Sequence, residues 1–179
     1  MKLNLASGTD LKPFPWINLD IVPRWPNTTR GCDVIWDARK DKIPFADNSA
    51  DEIYASYLLL HLAPRFHKQV LSEMWRVLTT DGILVVGEVD MRETMMRFLN
   101  DPYNPGLSDL IWGEQGICST WPEDQAEKLA DFDKHCQGFT EESLKKTLSD
   151  AGFSGFNKIK LHAAEVFYEL TLTCKKVMK

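Results

Sequence analysis

The sequence predicts an α/β domain built on a largely parallel sheet, and three observations carry that prediction. Ile83 to Val89 is almost wholly apolar, the signature of a strand covered on both faces. Before it, Arg65 to Leu78 places Phe66, Val70, Leu71, Met74, Val77 and Leu78 at helical spacing on one face. The strands on either side of this helix end in polar residues: Ser56, Tyr57 and His61 after the first, Glu88 and Asp90 at the second. Polar exits at the carboxyl ends of parallel strands define a ligand crevice there.

Leu3 and Leu5, followed by Ala6, Ser7 and Gly8, predict a short strand entering a tight turn, and Gly8 can adopt positive φ or let a ligand approach the backbone. Pro13 and Pro15 exclude a regular helix before the next strand, Trp16 to Ile21. Pro23 and Pro26 do the same before a third strand, Cys32 to Trp36. The first three strands are thus joined by loops, and part of the sheet lacks helical cover. Phe14, Trp16, Trp25 and Trp36 fall in this half. They either fold over the bare sheet or form a subunit interface, which makes a homodimer an expectation.

Pro44 to Ser49 is a turn. Ile53, Ala55 and Tyr57 lie on a fourth strand that exits through Leu58 to Leu60. Pro64 suits the first turn of the following helix, and Asp81-Gly82 closes that unit before the fifth strand. From Met91 to Cys136 the pattern loosens. Met91 to Leu99 and Glu123 to Lys134 have helical character, with Asp101 to Leu107 and Trp112 to Gly116 between them. A long insertion after a strand's carboxyl end is usually functional, so 91–136 is expected to form a lid over the crevice. Thr140 caps a helix reaching Ala151. Phe156 to His162 and Val166 to Lys175 alternate as a terminal antiparallel hairpin.

At 179 residues the chain is expected to form one domain, 1–179, with a real core. Apolar residues make up 44% and the net charge is −5, which disfavours a nucleic-acid or anionic-membrane surface and favours small molecules or neutral polymers as partners. No apolar run has the length of a membrane span. No signal peptide precedes Lys2. Cys32, Cys118, Cys136 and Cys174 form no Cys-x-x-Cys pair and read as free thiols of a cytoplasmic protein. His, Cys and Asp do not cluster at ligand spacing, so no metal is expected.

Ile43-Pro-Phe-Ala-Asp-Asn-Ser-Ala-Asp51, Leu60-His-Leu62 and Arg76-Val-Leu-Thr-Thr-Asp-Gly-Ile83 together resemble the class I S-adenosylmethionine-dependent methyltransferases. Leu3 to Gly8, Trp16 to Asp20, Gln115, His135 to Phe139 and Ala151 to Phe153 resemble a compact subgroup associated with sugar and polysaccharide gene clusters. The resemblance implies a Rossmann-like, seven-stranded, mostly parallel sheet with an antiparallel last strand, reduced or missing early helices and a helical lid. It implies S-adenosyl-L-methionine as cofactor. Ala6, Ser7 and Gly8 would line its methionine part. Asp20 and Ile21 would meet the ribose, Asp37 and Ala38 the adenine, and Ser56, Tyr57 and His61 the sulfonium end. In the family's glycine loop, Asn4 here takes the acidic place, Ala6 the first glycine and Asp10 the third.

Methyl transfer depends on holding the acceptor atom in line with the methyl carbon, and a base is needed only where the acceptor must lose a proton. His135, Asp90 and His61 are the expected base candidates. For each a structural alternative stands beside the catalytic one: a loop-holding histidine, a helix cap, or a solvated face around Asp131 and Asp133. Glu88, Tyr103 and Gln115 are expected to touch the acceptor, with a lid-anchoring hydrogen bond as the other reading of Glu88. His67 and His162 read as structural, and the methionines as packing. The expected activity is methylation of a hydroxyl or similar nucleophile on a small molecule or sugar. The alternative is a noncatalytic cofactor-binding or scaffold protein, motivated by the reduced glycine loop. A different nucleotide-binding Rossmann enzyme is disfavoured, because Gly-x-Gly-x-x-Gly is absent.

Overall fold

The computed structural model describes residues 1–25, 28–112, 134–160 and 169–177. Its centre is a seven-stranded sheet of order β3-β2-β1-β4-β5-β7-β6. The strands are β1 (Lys2–Leu5), β2 (Trp16–Asp20), β3 (Val34–Ile35), β4 (Ala50–Ser56), β5 (Leu78–Val89), β6 (Phe153–Ile159) and β7 (Glu169–Lys176). Pairing is parallel from β3 through β5, and β7 runs antiparallel between β5 and β6. The expected sheet is therefore present, including its reversed last strand. The helices among the described residues are α1 (Pro64–Val77), α2 (Met91–Asn100), α3 (Pro105–Trp112) and α4 (Glu141–Asp150).

The buried residues of α1 (Val70, Leu71, Met74, Val77) and of α4 (Leu144, Leu148) join Leu3, Leu5, Leu19, Ile53, Leu84, Val86 and Leu172 in one core cluster. Register explains why. Leu3 and Leu5 stand beside Ile53 and Ala55, so one face of the sheet is a continuous aliphatic surface. Proline opens α1, and Thr140 and Ser143 close a reciprocal capping box at the start of α4. Arg76, near the end of α1, donates to Glu73, Asp47 and the carbonyls of Ile43 and Phe45, pinning the turn before β4. Asp81-Gly82 does not close the helical unit as expected. It lies inside β5, which begins at Leu78 opposite Ala50 and re-registers at Ile83 opposite Glu52.

The opposite face follows from the missing helices. No described residue before Pro64 is helical. Here the alternation presents Lys2, Trp16 and Glu52 in one row and Asn4, Asn18 and Tyr54 in the next. Asn4 and Asn18 are buried, so their amides need partners. Asn4 Nδ2 donates to Asn18 Oδ1 (2.9 Å) and to the Asp10 carbonyl (2.8 Å). Asn18 binds both the N–H and the carbonyl of Lys12 and donates to Asp33. The amide ladder thus holds the loop 10–12 against this face of the sheet. Lys12 then lies over the Tyr54 ring (3.8 Å) and Lys2 pairs with Glu52 (2.6 Å). Of the four aromatics expected to cover this half, Trp36 enters the core, Trp16 and Trp25 are half-buried, and Phe14 is exposed.

Candidate functional site

Every residue expected to hold the cofactor comes from the carboxyl ends of β1 to β4. The chain leaves β1 through two left-handed residues, Ala6 (φ 50°) and Gly8 (φ 51°). This turn aims the Gly8 N–H at Asp20 Oδ2 (2.8 Å). Ser7 is almost fully buried, and among the described residues its Oγ is the buried side-chain oxygen or nitrogen without a hydrogen-bond partner. A buried orphan hydroxyl costs free energy unless something else satisfies it. Alanine at a left-handed position costs about 1 kcal/mol that glycine does not. Ala6→Gly is therefore expected to raise stability by about 0.5 kcal/mol after the entropy of the more flexible unfolded chain is subtracted. A small upward shift of the urea midpoint at unchanged slope checks it.

Asp20 is buried at the tip of β2. Its Oδ1 accepts from Val22 N (2.8 Å) and Trp25 Nε1 (3.0 Å), and its Oδ2 from Gly8. Burial raises its pKa and these donors oppose the rise. About four acceptor positions exist on a carboxylate. The Ile21 N–H also bears on Asp20, so its donors are three main-chain groups and, from a side chain, the Trp25 indole. Ile21 follows, half-buried. Asp37 follows β3 and is buried. Arg39 grips it with both Nε and Nη2 (2.9 Å each), which holds the carboxyl below its usual range. Its carboxylate is thereby committed to the turn after β3, where Ala38 is also buried.

Ser56 ends β4, and Tyr57 follows in a left-handed conformation (φ 55°) with its N–H on the Gly87 carbonyl (2.7 Å). Burial, then Glu169 and Glu88, push the Tyr57 phenol well above its usual range, so it is a neutral donor. His61 and His135 meet edge to face, with ring centroids 5.1 Å apart. The Nδ1 of each lies near a main-chain carbonyl, that of Lys134 (3.3 Å) and that of Leu110 (2.9 Å) respectively. Desolvation, then His135, push His61 down to about 4, although part of its surface remains exposed; desolvation also lowers His135. Both imidazoles are neutral at pH 7, and the segment that begins at Lys134 is docked on the loop after β4 through Cys136 N and the Leu60 carbonyl (2.6 Å).

Two acidic residues expected to face the acceptor are committed elsewhere. Glu88 has no exposed surface; its Oε1 accepts from Leu59 N (2.9 Å) and its Oε2 from Leu60 N (3.2 Å). It anchors the post-β4 loop rather than reaching a substrate. Asp90 accepts from Arg92 N and Glu93 N as the N-cap of α2. Tyr103 is exposed, and Gln115 lies outside the described residues, as do Asp131, Asp133 and His162. His67 is buried with Nε2 on the carbonyls of Leu59 and Leu62, a structural role. Among the described residues no group of His, Cys, Asp and Glu is arranged to hold a metal. One carboxylate at this edge of the sheet escaped the sequence reading: Glu169, the first residue of β7, which lay on the polar side of an alternating strand.

Sheet order, the reversed β7 and the loop after β1 define a Rossmann-like methyltransferase architecture. Residues 26–86 match the family described as Methyltransferase domain. No curated protein matches the chain by sequence. Among solved structures, a protein of Pyrococcus horikoshii OT3 is similar at 17% identity and TM-score 0.62, covering 98% of this chain and 81% of that one. A SAM-dependent methyltransferase of Methanosarcina mazei has 17% identity and TM-score 0.61, with 99% and 92% covered. A SAM-dependent methyltransferase of Thermotoga maritima, described as a possible histamine N-methyltransferase, has 20% identity and TM-score 0.59, with 98% and 82% covered. The chain thus has the fold of the S-adenosylmethionine-dependent methyltransferases.

Proposed function

We propose that the protein is a methyltransferase that binds S-adenosyl-L-methionine across the carboxyl ends of β1, β2 and β4 and methylates a hydroxyl or similar nucleophile of a small molecule or sugar. The observation that carries the cofactor reading is the orphaned, buried Ser7 Oγ in the turn after β1. A ligand laid over that turn supplies the missing partner, with its methionine part along Ala6, Ser7 and Gly8. Asp20 and Ile21 take the ribose, and the main chain at Asp37 and Ala38 borders the adenine. Ser56, Tyr57 and His61 lie toward the sulfonium. The bound cofactor supplies an activated methyl group; the chain orients it and excludes water. The described parts of the expected lid, 91–112 and 134–136, start at the Asp90 cap and end at Cys136 on the loop after β4, with His135 against His61 on the acceptor side; Gln115 lies outside the described residues. The neutral imidazole of His61 or His135 can accept a proton, whereas Asp90 serves as a cap.

The thiols of Cys32, Cys136 and Cys174 are free, which suits a cytoplasmic protein. No described helix is long and apolar enough to cross a membrane. The exposed Phe14 and the half-buried Trp16 and Trp25 suit a homodimer contact on the helix-free half of the sheet. Calorimetry with S-adenosylmethionine and S-adenosylhomocysteine tests the central reading. Micromolar binding of both is expected, and no binding of either at millimolar concentration removes it. Binding without turnover on a panel of hydroxyl, amine and sugar acceptors returns the noncatalytic alternative.

A further inference from the structure

On the sheet face away from α1 and α4, cover stops between two neighbouring rows. Asn18, Asn4, Tyr54 and Val85 form one row across β2, β1, β4 and β5, and all four are buried. The row two residues earlier in each strand is Trp16, Lys2, Glu52 and Ile83. Here Trp16, Lys2 and Glu52 are half-buried, and Ile83 is 41% exposed although β5 is an interior strand. Phe14, just ahead of β2, is 95% exposed. Large apolar side chains left bare on a sheet face, rimmed by charge, mark an association surface.

The chemistry of the open row selects its partner. From β2 to β5 it runs apolar, basic, acidic, apolar, and reversing this order gives its own complement. A two-fold axis along the strands, between β1 and β4, performs that reversal. Lys2 then faces the partner's Glu52, Glu52 faces the partner's Lys2, and Trp16, with Phe14 ahead of it, faces the partner's Ile83. Lys2 and Glu52 already pair within one chain (2.6 Å), and their side chains remain 42% and 27% exposed, free to meet a second charge. In the pair of chains the four charges alternate around a square, each ammonium between two carboxylates. One exposed ion pair contributes little. Two that are closed off from water by aromatic and aliphatic neighbours contribute more and fix the register. A surface of uniform charge finds no such match here. A self-complementary patch is what a closed two-fold dimer requires.

We propose that this row is the surface on which a second copy of the chain docks, sheet face to sheet face about that axis, with Lys2 and Glu52 exchanging partners across the interface. The inference rests on the homodimer reading and gives it a surface and a symmetry; it is independent of the cofactor and the acceptor. Lys2 and Trp16 are the first residues of β1 and β2, so the contact lies at the end of the strands opposite the cofactor turn and leaves both crevices open. Because the axis runs along the strands, the two crevices open at the same end of the dimer.

Sedimentation velocity on the whole chain tests this with reversed charges. Wild type is expected to sediment as a dimer at submillimolar concentration. Lys2→Glu and Glu52→Lys, each alone, set like charges across the interface and are expected to weaken association about tenfold or more. Mixed in equal amounts, the two variants are expected to form a heterodimer of near wild-type strength. One chain then brings only carboxylates to these two positions and the other only ammonium groups. The pair within each chain stays broken in the mixture, so a role confined to one chain gives no recovery. Should either charge variant fail to fold, Phe14→Ser and Ile83→Thr, both at exposed positions, are each expected to weaken the dimer about threefold or more through lost apolar contact. Two weakened charge variants that stay apart on mixing overturn the two-fold arrangement. A dimer that none of these substitutions weakens overturns the surface and leaves the homodimer reading standing. A wild-type monomer at submillimolar concentration removes both.

Discussion

Glu88→Ala is expected to destabilise the protein by about 3 kcal/mol or more, read as a fall in the urea midpoint. Two backbone N–H groups, Leu59 and Leu60, point at this carboxylate from the loop after β4. Removing it leaves both unsatisfied in a site without solvent, at about 1–3 kcal/mol for each buried orphan, and leaves a void as well. The loop freed in this way carries His61, and its Leu60 carbonyl holds Cys136 and Gln137. The same substitution is therefore expected to loosen the returning segment against the crevice.

Glu88 also gives the fold a pH dependence of definite sign. Burial outweighs the two amide donors and pushes the carboxyl up to about 8. The folded state then holds a proton that the unfolded chain loses near 4.5. The contribution is complete below about 4.5 and is lost as pH rises through about 8. The wild-type urea midpoint should fall between pH 5.5 and pH 9, and the fall should be markedly smaller in Glu88→Gln. A midpoint that rises over this range contradicts the account.

Local periodicity carried much of the fold. Val70, Leu71, Met74 and Val77 identify α1 because a helix buries every third or fourth residue, and β5 announces itself by an unbroken apolar run. Long-range pairing was another matter. Asp81-Gly82 reads as a terminator because turn residues cluster there, yet β5 runs through it on its pairing with β4. Glu88 and Asp90 look equivalent, two acids at one strand end. Their different roles depend on what comes near: loop amides 28 and 29 residues away for Glu88, the next helix for Asp90. Asn4 reads only as a departure from an acidic place, whereas in the fold it joins Asn18 in tying down the loop 10–12. Glu169 was hidden because a period-two strand shows which residues share a face but not which strands flank it. Only the row Ser56–Gly87–Thr171 shows that its carboxylate lies over Gly87.

Asp20→Ala is expected to weaken S-adenosylhomocysteine binding at least 100-fold, the largest functional effect in the molecule. The cause is double. A carboxylate gripping a ribose hydroxyl forms a charge-assisted hydrogen bond of about 1.5–3 kcal/mol, and tenfold in affinity is about 1.4 kcal/mol. Asp20 also holds the Gly8 N–H, so its loss frees the turn that presents Ser7. Asp20→Asn keeps one carbonyl oxygen and the shape of the site, and should lose roughly tenfold. Ribose specificity separates the two causes. Wild type should prefer S-adenosylhomocysteine over its 2′-deoxy counterpart, and Asp20→Ala should bind both equally weakly. If the preference survives in Asp20→Ala, the carboxylate is only a support for the loop. If Asp20→Ala binds S-adenosylhomocysteine within threefold of wild type, the cofactor does not lie against β2.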